Sequence, residues 1–160
     1  MLRLTRRYRF SASHRLYHPA LSESENRAIY GKCANPYGHG HDYILEVSVM
    51  GTLGKDGRVA DPARLDRLVE SCVLRDYASR NLNLDLPEYA ALVPTSENVA
   101  IQIERRLNRA WRREFSGAWP VLERVRLLET RRNIVEHTAP VLRQEDSARR
   151  GLEREVVRTS

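Results

Sequence analysis

YGKCANPYGHGHDY, residues 30–43, carries Cys33 in a loop rich in glycine, asparagine and proline, and His39-Gly40-His41 follows six residues later. Two histidines two apart project from the same face of an extended chain. Downstream the extension is legible: His39, His41, Tyr43, Leu45, Val47 and Val49 alternate with Asp42, Glu46 and Ser48. Such period-two alternation marks a half-buried strand, here from about His39 to Gly51. Ile44 and Met50 interrupt its polar side, so something covers part of that side.

Upstream, Leu2 to His14 alternates in the same way. Leu2, Leu4, Tyr8, Phe10, Ala12 and His14 fall on one face, with Arg6 as the exception, and Arg3, Thr5, Arg7, Arg9, Ser11 and Ser13 on the other. His14 therefore lies on an apolar face. Alone it would read as a hydrogen-bonded core residue, but with His39 and His41 it makes three imidazoles on two strands. Three histidines leave a zinc ion one open position, the arrangement of a catalytic rather than a closed structural site. Between the strands, Arg15 to Lys32 lacks sustained periodicity, and Ser22 to Asn26 reads as a surface loop or a single helical turn framing the site.

Beyond Gly51, Lys55-Asp56-Gly57 is turn chemistry and predicts a hairpin. Asp61 is an N-cap with Pro62 at the first helical position, and Leu65, Leu68, Val69, Cys72, Val73 and Asp76 follow helical spacing. Asn81 to Pro87 breaks the pattern. Pro94-Thr95-Ser96-Glu97 opens a second helix, capped by Thr95 or Ser96, with Val99, Ala100, Ile103, Leu107, Ala110 and Trp111 as its buried stripe. A third strand is expected over Val121–Thr130, with Val121, Val125, Leu127 and Glu129 on one face, and a fourth over Ile134–Thr138. The order is strand, strand, helix, helix, strand, strand (ββααββ), an α+β chain. Residues 1–139 are expected to form a single domain, and the charged residues 140–160 a flexible tail.

The 160 residues, 41% hydrophobic, suffice for one core. Cys33 and Cys72 are too few for a disulfide framework, and neither a leader pattern nor a membrane-length apolar run is visible. A soluble cytoplasmic protein without a membrane partner is expected. The net charge of +6 would suit anionic partners, yet the arginines are scattered, which favours a triphosphorylated small molecule over nucleic acid. Cys33 is either a small buried residue or a base or nucleophile favoured by a nearby metal, whereas Cys72 reads as packing. Glu129 is a carboxylate on a buried side, satisfied either by an arginine or by a ligand with two adjacent N–H donors, such as a 2-amino-4-oxo pyrimidine edge.

FSASHRL (10–16), YGKCANPYGHGHDY, NLNLDLPEY (81–89), VPTSENVA (93–100) and LLETRRNIV (127–135), in this order and spacing, resemble the 6-pyruvoyltetrahydropterin and 6-carboxytetrahydropterin synthase family. The resemblance implies a tunnelling fold: a four-stranded antiparallel sheet with two helices on one face, assembled through sheet edges into an oligomeric barrel, usually trimers stacked into hexamers. It implies His14, His39 and His41 as Zn2+ ligands, Cys33 as catalytic thiol and Glu129 as anchor of the pterin ring, with Thr95 and Glu97 nearby. The implied substrate is 7,8-dihydroneopterin triphosphate. One branch eliminates triphosphate to give the pyruvoyl product of tetrahydrobiopterin biosynthesis, and the other cleaves the side chain toward queuosine-type bases. At one place the chain departs from the family. Where the family has an Asp-His pair, Ala78-Ser79 stands here, and neither residue titrates near neutral pH. Asp76, Ser79 or a metal-bound water is then the substitute partner of Cys33, or the chain binds a pterin or purine-like ligand without chemistry, or it acts differently on a related heterocycle.

Overall fold

A computed structural model describes residues 1–139. Strands β1 (Leu2–His14) and β2 (His39–Gly51) pair antiparallel along their whole length, from Leu2 opposite Gly51 to His14 opposite His39. Both have the expected bounds, because alternation and the flanking turn residues are local signals. A two-residue strand, β3 (Arg80–Asn81), runs parallel to the end of β1, and β4 (Val121–Leu128) and β5 (Ile134–Thr138) complete the sheet in the order β3-β1-β2-β4-β5. The sheet thus has five strands rather than four. The extra strand lies in the segment read as a break, and its two rungs are too short for a periodic signal.

The helices lie against one face. Helix α1 (Glu23–Tyr30) stands where a loop or single turn was expected. Ser22 and Glu25 form a reciprocal capping box that starts it without an apolar stripe. Helix α2 (Pro62–Val69) begins with the Asp61 carboxylate accepting from Ala63 N–H at 2.9 Å, widens into a π-turn over Glu70–Leu74 and ends as the short α3 (Arg75–Tyr77). A single turn, α4 (Leu82–Asp85), follows β3. The long α5 (Ser96–Glu114) is capped by Thr95 and buries the predicted stripe from Val99 to Trp111. The expected hairpin is absent: Gly54 N–H donates to Arg58 C=O and Gly57 N–H to Gly54 C=O, closing a tight turn, but the chain leaves it for α2 instead of a strand.

Leu45, Val47, Val49, Val125 and Leu127 from the sheet and Leu65, Val69, Val73, Ile103 and Leu107 from the helices are fully buried in one core. Burial of each such side chain is worth about 1.5–3 kcal/mol. In β4 the pairing slips between Ser48 and Val49, so Glu123 is an extra residue and Leu122, not Val121, takes the inward place. Cys72 packs against the core, as expected of it.

On the other face the register aligns Arg7, Glu46, Arg126 and Glu136 in one row across β1, β2, β4 and β5. Arg7 and Arg126 donate to opposite oxygens of Glu46 at 2.6 and 3.0 Å, and Arg124 donates to Ser48 Oγ and Glu136. Arg6, the exception in β1, is satisfied on the helix side by a two-pronged pair with Asp66 of α2. No described helix is long and apolar enough to cross a membrane.

Candidate metal centre

The last rung of the β1–β2 pair sets His14 opposite His39, and Ala12 lies opposite His41. Close approach at this end requires Gly38, with φ +67°: a Cβ there would stand 2.7 Å from the His14 carbonyl oxygen. The loop before it is tied down by Leu16 N–H donating to Cys33 C=O at 2.8 Å and Arg15 Nε to Ala34 C=O at 2.9 Å. Cys33 therefore sits in the 3-10 turn Gly31–Ala34, fixed against the end of β1.

His14 is 1% exposed, and its Nδ1 lies 2.8 Å from the Pro94 carbonyl. Nδ1–H donates there, which leaves Nε2 as a bare acceptor. That atom faces His39 Nε2 at 3.2 Å, and one ligand nitrogen from each of the three rings lies within 4.8 Å of the others. His41 Nε2 is buried without a hydrogen-bond partner among the described residues. Burial, reinforced by the neighbouring rings, pushes the His14 and His39 pKa values below the ordinary imidazole value. The neutral rings this favours are the ligand form. Converging lone pairs and an orphaned buried nitrogen are what a divalent cation satisfies, and imidazole suits zinc.

Glu129, just past β4, brings Oε1 to 3.7 Å from both His14 Nε2 and His41 Nε2. Asn133 Nδ2 donates to its Oε2 at 2.5 Å and also lies 3.3 Å from Ser96 Oγ, tying Glu129 to the start of α5. The Tyr43 hydroxyl donates to Oε1 at 3.5 Å, and burial together with the Glu129 charge pushes this phenol far up. Burial and then the same carboxylate push the Cys33 thiol up. Thr95 caps α5 next to Pro94, and Glu97 in its first turn is exposed.

The fold therefore brings His14, His39, His41, Cys33 and Glu129 to one end of the sheet on the helix side. Asp76 is instead paired with Arg106 of α5, which also holds Glu88. Ser79, at φ +61°, donates its N–H to Ser11 C=O and lines an open hollow at the sheet edge with Ser11, Ser13, His41 and Asp42. Tyr43, Ser96 and Asn133 were not singled out in the sequence. Tyr43 carried a signal, the same face and spacing as His39 and His41, whereas Asn133 and Ser96 are joined only by the fold.

The family model of 6-pyruvoyl tetrahydropterin synthase matches residues 3–140. The human 6-pyruvoyl tetrahydrobiopterin synthase is 40% identical over 133 residues, which is 82% of this chain and 88% of the relative. Its counterpart from Dictyostelium discoideum is 41% identical over 133 residues, covering 82% and 92%. The structure of the Caenorhabditis elegans 6-pyruvoyl tetrahydropterin synthase superposes with a TM-score of 0.77 at 36% identity, over 86% of this chain and 95% of that one.

Proposed function

The chain belongs to the 6-pyruvoyl tetrahydropterin synthase family, and we propose that it is a zinc-dependent lyase acting on 7,8-dihydroneopterin triphosphate. The observation that carries this reading is the convergence of three imidazoles beside a carboxylate that has no arginine or lysine partner among the described residues. His14, His39 and His41 would hold the ion, which when bound supplies Lewis acidity toward the hydroxyls of the substrate side chain. Pro94 fixes the His14 tautomer and so aims its Nε2.

Glu129 accepts the adjacent N–H donors of the pterin ring, and Asn133 and Tyr43 orient its carboxylate. Cys33, held by its backbone against β1, removes a carbon-bound proton of the side chain, and triphosphate leaves with its electron pair. A cation beside this half-buried thiol would oppose the upward push on its pKa and favour the thiolate. Thr95 and Glu97 line the approach at the start of α5. The names of the relatives support the pyruvoyl-forming branch. The outer edge of β1 from Leu2 to Ser11 and the outer edge of β5 carry no neighbouring strand in the described sheet, which supports assembly of copies edge to edge into a trimeric or hexameric barrel.

A second reading, a pterin-binding protein without turnover, is favoured by one observation: with Ala78-Ser79 in place and Asp76 engaged by Arg106, the chain gives Cys33 no free titratable partner of its own from these positions. Incubation of the zinc-loaded protein with 7,8-dihydroneopterin triphosphate separates the two. Cys33-dependent formation of a 6-pyruvoyl tetrahydropterin, identified by mass and absent with Cys33→Ala, is the expected result. Tight pterin binding without any product would select the second reading.

A further inference from the structure

We propose that in the pterin-free protein Glu129 is itself a ligand of the metal held by His14, His39 and His41, and that it is released to the pterin when substrate arrives. This rests on the reading of the histidine cluster as a zinc site. Two ligands on one four-coordinate zinc, each about 2.0–2.1 Å from the ion, stand about 3.3–3.4 Å apart. The His14 to His39 nitrogen separation is 3.2 Å, and Glu129 Oε1 lies 3.7 Å from the ligand nitrogens of both His14 and His41. That oxygen is thus within a few tenths of an ångström of ligand spacing to two histidines at once.

The two oxygens of Glu129 have different surroundings. Oε2 is taken by Asn133, which the Thr130 turn holds in place through Asn133 N–H donating to Thr130 Oγ1 at 2.9 Å. Oε1 has only the long contact from Tyr43 and is turned toward the imidazoles. A carboxylate placed among imidazoles without an arginine or lysine partner is poorly compensated by the protein alone, and a divalent cation at the cluster would satisfy it and the orphaned His41 nitrogen together. A bidentate pterin edge competes for the same oxygens. Substrate binding would then open the coordination position that the substrate hydroxyls need, so the metal would be closed at rest and open only with pterin bound.

The test uses the full-length protein loaded with Co2+, whose visible absorption reports coordination, together with competitive Zn2+ titrations. In the absence of pterin, Glu129→Gln should change the Co2+ spectrum and weaken Zn2+ binding by about tenfold or more. Addition of 7,8-dihydroneopterin triphosphate should shift the wild-type spectrum toward that of the variant. Identical spectra for wild type and Glu129→Gln would overturn the proposal, as would a loss of Zn2+ affinity without a spectral change, which would mark a field effect rather than ligation. A wild-type spectrum unmoved by pterin that demonstrably binds would overturn the release. Failure of wild type to bind Zn2+ or Co2+ at all would overturn the zinc-site reading itself, which distinguishes the two failures.

Discussion

Glu46 and Glu129 are both largely buried carboxylates on or beside neighbouring strands, with side chains 7% and 12% exposed, yet their surroundings are opposite. Glu46, on the open face, is gripped by Arg7 and Arg126 in a row of alternating charges. Glu129, on the helix face, meets two imidazoles, an amide and a phenol, and no arginine or lysine among the described residues. A chain with 27 basic residues does not lack partners for it. Glu46 is compensated by arginine, whereas Glu129 stands without one among the metal-ready histidines; the buried Glu104, which also has no basic partner among the described residues, is met only by Asn108 on its own helix. What sets Glu129 apart is one oxygen 3.7 Å from two imidazole nitrogens, and an unpaired carboxylate in such a cluster is a functional-site candidate.

The largest effect expected is on the helix face. His39→Ala should reduce zinc affinity by about two orders of magnitude or more in a chelator competition, since one of three imidazoles is lost. On the open face the corresponding change is one of stability alone. Glu46→Gln should cost about 1–2 kcal/mol in denaturant unfolding near neutral pH, discounted because Arg7 and Arg126 are partly exposed, and should leave zinc affinity unchanged.

The pH dependence of that cost follows from its sign. Burial alone would raise the Glu46 pKa, but the hydrogen bonds from Arg7 and Arg126 outweigh it and hold it below its ordinary 4.5. A depressed carboxylate contributes stability above its unfolded pKa and loses it as pH falls through the folded one. The gap between wild type and Glu46→Gln should therefore be full above pH 4.5 and close below it. A gap that persists in stronger acid would show that the row acts through packing.

A smaller effect separates the thiol from the carboxylate. Because burial and Glu129 both raise the Cys33 pKa, alkylation of Cys33 in metal-free protein should set in at higher pH than for an ordinary cysteine, and Glu129→Gln should bring the onset down. An unmoved onset would mean that burial alone controls the thiol. The smallest change is expected at Asp76, whose carboxylate is 45% exposed in its pair with Arg106. Asp76→Asn should cost about 1 kcal/mol or less.

What the sequence made legible is what local rules govern. The bounds of β1, β2 and β5, the Asp61 and Thr95 caps and the stripe of α5 follow from alternation, helical spacing and side-chain caps within a few residues. The three histidines were legible for the same reason, since strand phase alone put them on one face. Features that depend on a second element were not. The bulge at Glu123 is set by register against β2, the two rungs of β3 exist only because α3 delivers Arg80 beside β1, and the absent hairpin reflects packing of α2 on the sheet. Likewise Asn133 reaches Glu129 only through the turn at Thr130, and Asp76 is claimed by an arginine 30 residues away on α5.

Glu129 is held without a basic partner for the sake of a ligand, and Glu129→Gln tests this on one preparation: unfolding of the metal-free protein and pterin binding by the zinc-loaded one. The expected result is a melting temperature equal to or above that of wild type, with pterin affinity reduced by about tenfold or more. A melting temperature lowered as far as by Glu46→Gln, with pterin affinity intact, would contradict it.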